Sequence, residues 1–350
     1  MPPPSKTDSP AAATQPAGAS TSPQQMLAQI KDARLAIVQE LRKLIVGADE
    51  AIDQVLVAMF AGGHCLIQGP PGTAKTILIA SLAKVVDLEF RRIQFTPDLM
   101  PSDISGTEIL EEDQTTGHRF VKFVRGPVFS NIVMADEINR TPPKTQAALL
   151  EVMQEKQVTI GGKTHPLPQP FYVLATQISL EQEGTYPLPE AQQDRFMLSI
   201  SMDYLGEDDE VAVVRRTTGT RQVELGKVIN GQDLLNFTKA VRNVTLPGHL
   251  GQYIVDLVAA SRPVVEGCPD FVKQYVAWGA GLRASQNIAL AAKSSAAQDA
   301  RSAVNADDVR KAILPVLRHR IGLSFRAEVD RVSVDDIIRR LIAHVPAPKN

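Results

Sequence analysis

The segment Gly69-Pro-Pro-Gly-Thr-Ala-Lys75-Thr76 constrains this chain more than any other stretch. It follows a short apolar run, His64 to Gln68, entered through Gly62-Gly63. A run of five bounded by glycines reads as a buried strand. Lys75 to Val86 then carries apolar residues at helical spacing. A glycine-rich turn that leaves a strand and opens a helix on Lys-Thr is the pattern of a phosphate loop. The N–H groups of such a loop point at a β-phosphate, and the helix N-terminus adds a favourable dipole. Gly69, Pro70, Pro71, Gly72, Thr73, Ala74, Lys75, Thr76 and Ile77 are therefore the candidate nucleotide-binding residues. Lys75 would bridge the β- and γ-phosphates, and the Thr76 hydroxyl would ligate Mg²⁺. Ala74 stands where the usual pattern has Gly. A negative φ is expected there, with Gly72 carrying the special conformation.

A second motif agrees with the first. Ile132-Val-Met-Ala-Asp136-Glu137 is an apolar strand that delivers two carboxylates at its end, 60 residues after Thr76. This is the Walker B arrangement. Asp136 would hold Mg²⁺, mostly through water. Glu137 would polarise the attacking water as a general base.

Strand and helix patterns alternate through the first two hundred residues, which implies a parallel sheet with helices on both faces. Phe90–Phe95, Asn131–Ala135 and Phe171–Thr176 read as further strands. Two hairpins interrupt the alternation. Ile104–Glu111 and Arg119–Val124 flank a polar turn, and Gln157–Ile160 and Lys163–Leu167 flank Gly161-Gly162. After about Asp203 the patterns are helical, including one predicted helix over 271–295, with Asp233 and Asp307 as N-cap candidates. The expected division is a Pro/Ala/Ser/Thr-rich disordered tail at 1–25, an α/β core at 26–203, a linker at 204–230 and a helical domain at 231–345.

Composition excludes several classes. Two cysteines, Cys65 and Cys268, are too few for a disulfide framework or a four-cysteine zinc site. A net charge of -2 gives no general polyanion-binding surface. Neither a signal peptide nor an apolar run of membrane-spanning length is present in the sequence, so a cytoplasmic protein without direct membrane insertion is expected.

With both phosphate-site motifs in place, the chain resembles the MoxR family of AAA+ ATPases. The resemblance rests on GGHCLIQGPPGTAKT (62–76), FTPDLMPSDISGTEIL (95–110), the run from Gly126 to Gly162, EQEGTYPLPEAQQDRF (181–196) and VLRHRI (316–321). It implies an AAA+ αβα phosphate-loop NTPase core followed by an all-helical lid. It implies ATP and Mg²⁺ as cofactors and Mg-dependent ATP hydrolysis that remodels or matures protein clients. Clients with von Willebrand factor A domains are one expectation, and a homo-oligomeric ring, a hexamer, is another. Val46 and Gly47 fall where such proteins contact the adenine. Arg195, in Asp-Arg-Phe, falls on the arginine-finger position and would act on a neighbouring subunit's nucleotide. Arg283 falls on the sensor-2 position of the lid. The two hairpins resemble this clade's insertions, which face the ring pore or partners.

One departure bears on rate. The family reads Ala-Thr-Gln-Asn-Pro at the end of its fourth core strand, whereas this chain reads Ala175-Thr-Gln-Ile178-Ser179. An Ile side chain cannot hydrogen-bond. Losing one oriented polar group in a transition state can cost roughly 10²–10³ in rate. A nucleotide-gated scaffold with little hydrolysis is therefore the alternative. A nucleic-acid motor is the weaker rival, because the first hairpin carries Glu108, Glu111, Glu112 and Asp113. His64 reads as a packed histidine, Arg91-Arg92 as a solvated basic pair, and no nucleic-acid partner or protein-held structural metal is expected.

Overall fold

The computed structural model describes residues 22–112, 114–115, 118–178, 184–219 and 223–348. Most of the expected tail, the turn residues Asp113 and Gly117, Ser179, and 181–183 of the matching run lie outside the described residues, as do 220–222 of the expected linker.

The elements run in the order α1 (Pro23–Arg42), α2 (Asp49–Ala61), β1 (Cys65–Gln68), α3 (Lys75–Val85), β2 (Phe90–Gln94), α4 (Pro101–Ser105), β3 (Gly106–Glu112) and β4 (Arg119–Arg125). Then come β5 (Ile132–Asp136), α5 (Pro143–Glu155), β6 (Gln157–Ile160), β7 (Lys163–Pro166), β8 (Tyr172–Gln177), α6 (Glu190–Gln193), β9 (Leu198–Ser201) and α7 (Glu207–Thr217). The rest is α8 (Gly231–Asn243), α9 (Gly248–Ala260), α10 (Asp270–Tyr275), β10 (Val276–Trp278), α11 (Leu282–Gln298), α12 (Ala306–Leu317), β11 (Gly322–Leu323), α13 (Phe325–Val329) and α14 (Val334–His344).

Five parallel strands form the central sheet in the order β2-β5-β8-β1-β9. β5 and β8 lie inside it and are buried at every position, as a sheet covered on both faces requires. The period of two sorts their side chains between two cores. Cys65, Ile67, Ile132, Met134, Tyr172 and Leu174 join the core under α1, α2, α3 and the C-terminal helices. Leu66, Val133, Ala135, Val173 and Ala175 join the core under α5. Asp136 and Thr176 continue the first set to the strand ends, and Gln68 and Gln177 continue the second.

Several expectations are corrected in detail. Helix α1 already includes Pro23–Gln25 of the expected tail, because Ser22 and Gln25 form a reciprocal capping box at its start. The N-caps of α8 and α12 are Asn230 and Asn305, not Asp233 and Asp307; Asp233 and Asp308 are their capping-box partners. The helix expected over 271–295 breaks at 276–281. There Val276–Trp278 pairs with β11, and Gly279 lies so close to the Ser261 carbonyl that a Cβ would sit 2.3 Å from it. Residues 207–217, inside the expected linker, are helical.

The C-terminal helices are fastened to the sheet by Leu317-Arg-His-Arg320. Arg320 is buried and donates to the Asp194 carboxylate at 2.7 Å and to the carbonyls of Asp194, Phe196, Met197 and Val316. His319 Nε2 lies 3.0 Å from the Phe196 carbonyl, and Arg318 grips Asp335 with two bonds of 2.9 Å. All three residues bond to the segment that carries the chain into β9 or to the lid itself.

Candidate functional site

The phosphate loop spans the end of β1 and the start of α3. Gly69 has φ +150°, and a Cβ there would meet the Met202 carbonyl at 2.0 Å, so no other residue fits beside β9. Gly72 takes φ +86° in open space. Ala74 corrects the expectation of a negative φ: it takes φ +59°, ψ +20°, in the left-handed region. The loop thus holds a side-chain-bearing residue in a conformation that costs about 1–2 kcal/mol.

Lys75 turns its ammonium back into the loop. It donates to the carbonyls of Gly69 (2.9 Å) and Pro70 (2.6 Å) and to the Thr73 hydroxyl (3.0 Å). These acceptors are all neutral. Burial pushes the Lys75 pKa down, and the nearby carboxylates of Asp136 and Glu137 pull it up. A half-desolvated cation bonded only to neutral oxygens fits an anion such as a phosphate chain. At Gly47 a Cβ would sit 2.6 Å from the Asp209 carboxylate and 2.7 Å from Leu205. The β9–α7 connection therefore closes against both Gly69 and Gly47.

Asp136 ends β5 on the same sheet face as Thr176. Its Oδ1 accepts the Thr176 hydroxyl at 2.6 Å, and its Oδ2 accepts Arg92. Glu137 takes φ +55°, again left-handed, and its N–H donates to Thr176 Oγ1 at 2.8 Å. Its carboxylate accepts from Gln94 at 3.1 Å and pairs with Arg140 at 3.2 Å. Strained backbone at a carboxylate beside a phosphate loop is the kind of feature functional sites retain. Among the described residues no three acidic, His or Cys groups make a ready metal cage. A single carboxylate at the end of β5 suits Mg²⁺, which keeps several waters and takes phosphate oxygens as ligands.

Ile178 follows β8. Its N–H donates to Asn139 Oδ1 at 3.2 Å, and its carbonyl accepts from Asn139 Nδ2 at 3.0 Å. The buried Asn139 thus occupies both main-chain groups of the residue at the sensor-1 position. Gln177 lies on the sheet face opposite to Asp136, where its side chain accepts from Gln68 at 2.9 Å.

Arg195 and Arg283 lie elsewhere. β1 and β9 run parallel, with Cys65 opposite Leu198 and Gln68 opposite Ser201. The phosphate loop leaves the C-terminal ends, whereas Arg195 precedes the N-terminal ends. One four-residue strand, ~13 Å, separates the two levels. Arg195 donates to the Leu150 carbonyl at 2.5 Å, and Arg283 pairs with Asp194 at 2.7 Å. Together with His64, Met153 and Gln154 they line a cavity of about 150 Å³. The structure brings the two arginines together and keeps both from their own phosphate loop. A cavity of about 660 Å³ between α2, α11, α12 and α14 involves no phosphate-loop residue.

Other candidates resolve as follows. His64 is buried; its Nδ1 accepts the Val173 N–H at 2.9 Å, and burial together with Lys156 lowers its pKa to about 4. The Cys65 thiol is buried and its pKa is pushed up, so it is no nucleophile. Glu111 and Glu112 are paired across the hairpin with Lys122 and Arg119, at 2.8 and 3.0 Å. The two hairpins touch: Phe123 stacks on His165 with ring centroids 4.4 Å apart. Arg92, expected on a solvated face, is instead bound to Asp136; its place two residues before Gln94, on a strand beside Asp136, was the one available signal.

Comparison with known proteins agrees with this geometry. Residues 64–198 match the model of the ATPase family associated with various cellular activities (AAA), and residues 270–341 match an AAA lid domain. Chaperone MoxR1 of Mycobacterium tuberculosis is 42% identical over 310 residues, covering 89% of this chain and 81% of that protein. Protein MoxR of Methylorubrum extorquens is 30% identical, covering 92% and 97%. A crystal structure of a candidate ATPase from Cytophaga hutchinsonii superposes with a TM-score of 0.86 at 41% identity, covering 93% of this chain and 98% of that one. A nucleotide-type loop, an acidic strand end, a parallel five-stranded sheet and these likenesses converge: the chain belongs to the MoxR family of AAA+ ATPases.

Proposed function

We propose that this chain binds Mg·ATP between Val46-Gly47, the Gly69–Ile77 loop and Asp136-Glu137, and hydrolyses it only when assembled. The observation that carries the reading is the split of the charged groups between the two ends of one sheet. Lys75 and the loop N–H groups hold the β- and γ-phosphates. Thr76 and Asp136 would hold Mg²⁺, which when bound neutralises phosphate charge and polarises the transferring group. Glu137 orients the attacking water. Arg195 and Arg283, one strand length from their own loop, serve the nucleotide of the next subunit. A guanidinium there stabilises the charge of a loosening phosphoryl group. Each contact is then heterologous, and rotation closes a ring, with a hexamer as the expected size.

The output is remodelling of a protein client, for which partners with von Willebrand factor A domains are the first to test. A cytoplasmic location and no nucleic-acid partner complete the reading. Two variants test its core. Lys75→Ala should lose ATP binding, and Glu137→Gln should keep binding while losing turnover. Equal turnover in wild type and both variants would contradict it.

Ile178 favours a second reading, a nucleotide switch that hydrolyses slowly. Its side chain is apolar and its main chain is tied to Asn139. Tight ATP binding with turnover no faster than that of Lys75→Ala would select it.

A further inference from the structure

We propose that Arg92 is a positioning residue that holds Asp136 while no metal is bound and gives way when Mg²⁺ arrives with nucleotide. The inference rests on the nucleotide reading above.

Arg92 lies on the edge strand β2, and its neighbour two residues on, Gln94, is the register partner of Asp136. Its guanidinium reaches across to the end of β5 with a fork. Nε donates to Asp136 Oδ2 at 2.9 Å and Nη2 to the same oxygen at 2.5 Å. Nη2 also donates to Gln94 Oε1 at 2.6 Å, and Gln94 in turn donates to Glu137. One arginine therefore engages both carboxylates, the second through an amide. Adjacent Arg91 makes the contrast. It pairs only with Glu89, in solvent.

The two partners differ in freedom. The Asp136 side chain is 11% exposed and fixed by Thr176, whereas Arg92 is 48% exposed. A lone carboxylate near a triphosphate would repel metal-free nucleotide. Arg92 cancels that charge. A divalent cation at Asp136 meets the opposite condition, because the guanidinium covers Oδ2 and like charges repel. The cation is favoured only if Arg92 swings outward, which its half-exposed position permits. Arg92 therefore sets how strongly nucleotide binding depends on Mg²⁺.

The test needs no turnover. ADP affinity is measured calorimetrically in EDTA and in saturating Mg²⁺ for wild type, Arg92→Gln and Arg92→Lys. The readout is the ratio of the two dissociation constants. Charge-assisted hydrogen bonds have a magnitude that corresponds to about tenfold or more, so Arg92→Gln should raise the Mg²⁺ advantage by about that factor. Arg92→Lys, which keeps the charge, should stay near wild type. A ratio unchanged or lowered in Arg92→Gln overturns the inference while leaving nucleotide binding intact. Wild type that binds ADP no better than Lys75→Ala in either buffer overturns the nucleotide reading itself.

Discussion

Arg283, at the start of α11, is ion-paired at 2.7 Å with Asp194, the residue immediately before Arg195. Asp194 also receives the buried Arg320 at 2.7 Å, so one carboxylate fixes the lid to the core and keeps Arg283 beside the segment that carries Arg195. Their distance from the phosphate loop leads to a mixing experiment. Arg195→Ala or Arg283→Ala should bind ATP normally and lose turnover by about 10²-fold or more. Arg195→Ala mixed with Lys75→Ala should regain turnover that neither has alone. A mixture as inactive as its parts would mean that Arg195 serves its own subunit.

Ile178 leads to a gain-of-function variant. Ile178→Asn places a hydrogen-bonding side chain at the end of β8 next to the Walker B strand. Turnover should rise by roughly 10²-fold, the lower end of the range for one oriented donor. An unchanged rate would mean that another group already orients the water.

Ala74 carries left-handed backbone in the loop. Ala74→Gly should relieve that strain, offset in part by the greater freedom of Gly in the unfolded chain. The net gain expected in urea unfolding is roughly 0.5–1 kcal/mol. A loss of stability would place Ala74 in a different conformation.

His64 contributes to acid sensitivity, as does the likewise buried His319, whose pKa burial also lowers. The His64 pKa is lowered from 6.5 to about 4 by burial, then by Lys156. The unfolded chain therefore takes up a proton at this site between those values while the folded chain does not. Stability is fully present above pH 6.5 and is lost as pH falls towards 4. At about pH 5 the loss from this group should be ~2 kcal/mol. His64→Gln, which still offers Val173 an acceptor, should flatten that slope in urea unfolding at neutral and acid pH. An equal slope in both proteins would show that His64 is reached by protons in the folded state.

Local spacing made much of this molecule legible. The phosphate loop, Asp136 and Glu137 lie within short runs whose residue types follow from phosphate chemistry. The faces of the strands follow from period two, which also puts Gln177 opposite Asp136. What local spacing could not reveal are pairings across long sequence distances. Arg92 and Asp136 are 44 residues apart, and Arg320 and Asp194 are 126 apart. On its own strand Arg92 looks like any surface arginine, and Asn139 looks like a polar loop residue until Ile178 is beside it. The left-handed backbone of Ala74 was hidden for a different reason. Strain is set by the surrounding fold, not by the residue's own preference.

ATP turnover per subunit, followed against protein concentration with Lys75→Ala as the blank, tests the shared site most directly. Turnover that climbs with concentration and then saturates is expected under the proposal that each loop uses the Arg195 and Arg283 of another copy. Turnover above the blank that stays constant on dilution to isolated chains would contradict it.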